Sequence, residues 1–219
     1  MKQNLMELVF ILDRSGSMSG LEDDTIGGFN SMLEKQKNEV GEAFVTTVLF
    51  DNKYELMHDK MNIKDIKPIT RKEYYVGGST ALLDALGATI INIGNTLSET
   101  KEENRPEKVM FVIITDGMEN SSHEFNHIKI KSMIEHQKSK YSWDFIFLGA
   151  NMDAVETASN FGINEDRAVN FISDSEGTEL NYKVLSEAVS SFRKGKNIDP
   201  NWKMEIQEDF DKRGNSKRR

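Results

Sequence analysis

The chain has 219 residues, 37% of them hydrophobic, a formal net charge of −8 and no cysteine; one sizeable core is expected, undivided. The missing cysteine excludes disulfides, zinc–thiolate sites and cysteine nucleophiles, and is compatible with a reducing compartment. The acidic balance argues against a nucleic-acid partner, because the basic residues Lys212, Arg213, Lys217, Arg218 and Arg219 form only a short, solvated tail.

In chain order, residues 5–12 form an apolar run that predicts a buried strand. Only Lys2 precedes it as a positive charge and Asp13 ends it, so the run is too short for a signal-peptide core or a membrane span. No other stretch reaches spanning length, and the expectation is a soluble cytoplasmic protein with no membrane partner. Residues 21–38 predict a helix with Ile26, Phe29, Met32 and Leu33 on one face. Residues 43–50 and 53–61 read as two strands joined at Asp51-Asn52, a connection that permits only an antiparallel hairpin and so makes the second an edge strand.

The segment 80–97 predicts a long, heavily buried helix, 108–115 a central strand, and about 124–138 a further helix. Residues 143–148 form the next strand, closed by Gly149, followed by a short helix at 153–160, a last strand at 168–172 and a final helix at 177–194. This alternation predicts an α/β, doubly wound, mostly parallel six-stranded sheet with one antiparallel edge strand and helices on both faces. A domain over 1–194 and an extension over 195–219 follow. In the extension Trp202, Ile206 and Phe210 recur every four residues, as one face of a short docked helix would require, ahead of a basic disordered tail.

Where the first strand ends, Asp13-Arg14-Ser15-Gly16-Ser17 presents a carboxylate and two hydroxyls, the oxygen donors a hard cation takes. The same residue types also make ordinary turns. Two later segments add to it: the central strand ends in Thr115-Asp116-Gly117, and Gly77-Gly78-Ser79-Thr80 opens a helix. In an open α/β sheet the C-terminal strand ends form the binding crevice, where the three segments converge. Around them, Ser79 and Asn151 read as crevice lining or ordinary turn choices. Glu119 reads as a charge-tuning or a solvated acid, and Asp84 as a carboxylate near a helix N-terminus.

Asp13, Ser15, Ser17, Thr80 and Asp116, in this order, resemble the metal-ion-dependent adhesion site of von Willebrand factor type A domains, and the resemblance covers residues 5 to 194. It implies a stand-alone, intracellular, bacterial or phage-type member. Ser15, Ser17 and Thr80 would ligate the cation directly, with Asp13 and Asp116 holding it directly or through water. It further implies Mg²⁺, with Mn²⁺ or Ca²⁺ as substitutes, and an open coordination position for an Asp or Glu of a protein partner. The chain would bind, not catalyse.

Two other readings compete. His123-Glu124-Phe125-Asn126-His127 satisfies HExxH, which in zinc metallopeptidases places two His ligands one helical turn apart with Glu as general base. No third ligand is evident. A Mg-dependent nucleotide-binding protein would use Asp13 and Asp116 on phosphate-bound metal, but the chain lacks both GxGxxG after its first strand and GxxxxGK[ST].

Overall fold

A computed structural model describes residues 1–214. The end of the basic tail, Lys217, Arg218 and Arg219, lies outside the described residues. In chain order the elements are β1 (Lys2–Asp13), α1 (Glu22–Lys37), β2 (Glu42–Phe50), β3 (Tyr54–Asn62), α2 (Leu82–Glu99), β4 (Pro106–Thr115), α3 (His127–Tyr141), β5 (Asp144–Gly149), α4 (Ala154–Asn160), β6 (Ala168–Asn170), α5 (Ser175–Arg193) and α6 (Met204–Gly214). The strands form one sheet in the order β3-β2-β1-β4-β5-β6. All neighbours are parallel except β2 and β3, the antiparallel edge pair.

The two faces of the sheet follow from alternation along its central strands. Leu8, Phe10 and Leu12 of β1 point into one core with Phe29 of α1 and Tyr182, Leu185 and Val189 of α5; Val9 and Ile11 point into the other with Leu86 and Ile90 of α2 and Ile130 and Ile134 of α3. Because β1 and β4 are covered on both faces, their sequences are continuous apolar runs, and their C-terminal ends are where polar groups emerge. Those ends carry Asp13 and Thr115.

Several boundaries differ from the sequence expectation for local reasons. The helix opened by Thr80 begins at Leu82 with Ala81 at its N-cap, which leaves Thr80 in the loop. α3 begins at His127 instead of near Glu124, because Asn126 is the N-cap and its side chain accepts the Lys129 N–H at 3.0 Å. The last strand stops at Asn170, and α5 starts at Ser175 behind the N-cap Asp174. α6 packs beside α5 with Ile206 1% exposed, and the Trp202 indole N–H donates to the Asp166 carbonyl at 2.8 Å.

Candidate metal centre

β1 surfaces directly into the first loop, yet Asp13, Arg14 and Ser15 remain buried. Asp13 has both oxygens engaged: Oδ1 accepts the Ser15 backbone N–H at 2.7 Å and Oδ2 accepts the Thr115 hydroxyl at 2.6 Å, across from β4. The Tyr74 hydroxyl donates to the Asp13 carbonyl at 2.6 Å. Arg14 points away from this cluster. Its guanidinium donates to Asp51 at 3.2 Å and Glu55 at 2.6 Å and lies 4.6 Å from the centre of the Tyr75 ring. Its carbonyl accepts the Gly77 N–H, and the Gly16 N–H donates to the Gly78 carbonyl, so the first two loops are laced together by backbone. Gly78 has φ 75°, a left-handed conformation that suits glycine, and a Cβ there would collide with the Asn52 side chain.

Three hydroxyls meet above this frame. Ser15 and Ser17 Oγ are 3.1 Å apart, and Thr80 Oγ1 donates to Ser15 Oγ at 3.0 Å. Asn120 clamps Thr80 from both sides: its Oδ1 accepts the Thr80 N–H at 2.9 Å and its own N–H donates to the Thr80 carbonyl at 3.0 Å. Gly117 leaves the space beside the hydroxyls open. A Cβ there would stand 3.0 Å from Ser17 Oγ and 3.1 Å from Thr80 Oγ1.

Asp116 closes the group. It is 1% exposed; its Oδ2 accepts the Ser173 hydroxyl at 3.1 Å, while its Oδ1 is buried without a hydrogen-bond partner of normal geometry. Asn151 donates from Nδ2 to the Asp116 carbonyl at 3.1 Å. Burial pushes the Asp13 carboxyl up to about 6, opposed by the donors Thr115 and Ser15 and assisted by repulsion from Asp116. Burial likewise raises Asp116, with Ser17 and Ser173 holding it down. Among the described residues no basic side chain contributes to either shift. Two buried carboxylates, one with an oxygen that lacks a hydrogen bond of normal geometry, therefore share a pocket of neutral hydroxyls, with no positive counter-charge among the described residues. All donors are oxygens and the glycine-walled cradle beside them is free of side chain, so the residues present fit a hard divalent cation.

The HExxH reading fails on geometry. His123 and Glu124 precede α3, so they do not form a helical turn with His127. Their backbone is held instead by Asp84, whose carboxylate accepts the N–H groups of His123, Glu124 and Phe125 at 2.8, 2.9 and 2.9 Å. The His127 ring stacks on Phe161 with centroids 5.5 Å apart. Among the described residues no three His, Cys, Asp or Glu side chains gather to hold a metal.

Sequence reasoning missed several supports. Glu119 is the organiser of its loop: Oε1 accepts the N–H groups of Ser121 and Ser122, and Oε2 accepts the Ser122 hydroxyl and the Leu83 N–H. Asn120 and Ser173 carried no sequence signal, since each acts on a partner remote in the chain. Ser79 is exposed.

No family model and no curated protein sequence matches the chain. Solved structures do match its fold. A von Willebrand factor type A protein from Catenulispora acidiphila superposes with a TM-score of 0.57 at 14% identity, over 85% of this chain and 42% of that one. Proximal thread matrix protein 1 from the mussel byssus, with a zinc-occupied MIDAS motif, gives 0.56 at 14% identity over 84% of this chain and 46% of that one. The manganese-loaded TRAP protein of Plasmodium vivax gives 0.53 at 15% identity over 74% and 62%. The chain thus spans between 42% and 62% of these structures and has the Rossmann-like fold of von Willebrand factor type A domains.

Proposed function

We propose that this chain is a divalent-cation-dependent protein-binding module, in which Asp13, Ser15, Ser17, Thr80 and Asp116 hold Mg²⁺, or Mn²⁺ or Ca²⁺ in its place, and an Asp or Glu side chain of a protein partner completes the coordination. The observation that carries this is the buried Oδ1 of Asp116, which has no hydrogen-bond partner of normal geometry among the described residues, beside three clustered hydroxyls and no described basic residue. Two structures that share the fold are described with zinc and with manganese, which supports a cation here.

The chain's own residues set the chemistry. The hydroxyls of Ser15, Ser17 and Thr80 are neutral donors of lone pairs, so they hold an ion without cancelling its charge. Thr115 and the Ser15 N–H fix Asp13 behind them, while Asn120 and Glu119 fix the loops that carry Thr80 and Asp116. When bound, the ion supplies the positive charge that lets an acidic molecule capture a carboxylate, an encounter that direct contact would oppose. Among the described residues the three hydroxyls bond to one another and to no imidazole or amine, an arrangement suited to binding and not to nucleophilic attack. The proposal extends to a cytoplasmic protein without nucleic-acid or membrane partners.

Calorimetric titration of Mg²⁺ and Mn²⁺ into the wild type, Asp13→Ala and Asp116→Ala tests the site. Binding should fall at least roughly tenfold in both variants; unchanged binding in both removes the site. A pull-down from the native host, with Mg²⁺ and with EDTA and repeated with Asp116→Ala, then tests the bridged mode. Partners lost under both perturbations support it, and partners retained under both oppose it.

A further inference from the structure

We infer that Ser173 is a positioning residue for the cation site and that the C-terminal helix α6 secures it there through Arg213. The inference rests on the reading of Asp116 as a cation ligand. Ser173 lies in the turn between β6 and α5, 57 residues beyond Asp116, and its hydroxyl donates to Asp116 Oδ2 at 3.1 Å. That bond leaves Oδ1 as the oxygen turned to the ion, because a carboxylate can present one oxygen reproducibly only if the other is held. The Ser173 hydroxyl is not engaged in capping α5, a task that falls to the next residue. Asp174 Oδ1 accepts the Gly177 N–H at 3.0 Å, and its Oδ2 accepts the Arg213 guanidinium at 2.8 Å.

The turn has little freedom of its own. The Asp174 N–H donates to the Ile172 carbonyl at 2.9 Å, and a Cβ on Gly177 would collide with that same carbonyl. Arg213 is in turn held one helical turn back, where Nε and Nη2 both donate to the Asp209 carboxylate, and it also lies 3.4 Å from Glu176. α6 is seated by buried Ile206, by the Trp202 indole on Asp166 and by a Lys183–Glu205 pair at 2.7 Å. A continuous series of contacts therefore runs from α6 through Arg213, Asp174 and Ser173 to Asp116. The segment 195–214 is a structural support of the cation site, and its seating sets how well that site is formed.

The test uses the full chain and Mn²⁺ titration read by the electron paramagnetic resonance signal of free Mn²⁺, for the wild type, Ser173→Ala, Ser173→Thr, Arg213→Gln and Asp116→Asn. Ser173→Ala should weaken Mn²⁺ binding roughly tenfold while Ser173→Thr, which keeps the hydroxyl, retains it. Arg213→Gln should show a smaller loss in the same direction. Thermal midpoints in EDTA should match the wild type for both Ser173 variants, which separates positioning from folding. Wild-type affinity in Ser173→Ala overturns the inference, and wild-type affinity in Arg213→Gln overturns the link to α6. Wild-type affinity in Asp116→Asn would instead overturn the cation reading, so the two failures are distinguishable.

Discussion

At the scale of single residues, Gly117 shows how the cradle is kept open. A Cβ there would press on Ser17 and Thr80 at 3.0 and 3.1 Å, so the hydroxyls could remain only by turning away from the position an ion needs. Gly117→Ala should therefore lower Mn²⁺ affinity at least roughly tenfold, while a hydroxyl rotation costs the fold only about 1 kcal/mol. Paired Mn²⁺ titration and thermal melts in EDTA check this, and an alanine variant that binds normally would show that the cradle is not the ion's place. Glycine after Asp116 was visible in the sequence, but its purpose was not. Asp13, Ser15, Ser17 and Asp116 stood out because their residue types and spacing are local to strand ends, and Thr80 because it stands just ahead of a helix. Their supports were silent, since Asn120 acts on Thr80 and Ser173 on Asp116 from separations of 40 and 57 residues, where no local pattern operates.

Elements repeat this division between local and remote causes. β1 and β4 were legible as continuous apolar runs because both faces are buried, and the β2–β3 hairpin was legible because a connection as short as the three residues between Phe50 and Tyr54 permits nothing but antiparallel pairing. The start of α3 was misread because the backbone around His123 is captured by a carboxylate from α2, about 40 residues earlier, instead of being wound into a helix. In the extension the four-residue apolar spacing is divided, with Trp202 in the turn at Pro200–Lys203 ahead of α6 and Ile206 buried within it. Deleting residues 195–219 removes that buried side chain, the Trp202 contact and the Arg213 pair. Burial of this size stabilises by about 3 kcal/mol, so the thermal midpoint should drop by roughly 5–10 °C. Differential scanning calorimetry of the truncated chain checks this, and an unchanged midpoint would mean that α6 adds nothing to the body.

Across the whole molecule, the net charge of −8 includes carboxylates buried without a cationic partner among the described residues, and each of these contributes to the pH dependence with a definite sign. Glu7, in the centre of the sheet, is pushed up to about 7 by burial, opposed by the Thr46 hydroxyl at 3.0 Å and the more distant Lys60, and its Oε2 has no hydrogen-bond partner among the described residues. A carboxyl whose folded pKa is raised binds more protons folded than unfolded. Its contribution is therefore most favourable below the unfolded value of 4.5 and is lost as pH rises to about 7. Asp13, raised to about 6, acts in the same direction when no cation is present. His58, lowered by burial, acts oppositely below its usual 6.5. Comparing Glu7→Gln with the wild type isolates the first term: the amide keeps the shape of the protonated acid but cannot ionise. The variant should be nearly neutral at pH 5 and more stable than the wild type at pH 8, by up to about 3 kcal/mol. Urea unfolding in EDTA at the two pH values measures the difference. A gap that fails to widen between pH 5 and pH 8 would show that Glu7 is solvated or charge-paired in the folded protein, and the burial argument would fall for this carboxylate.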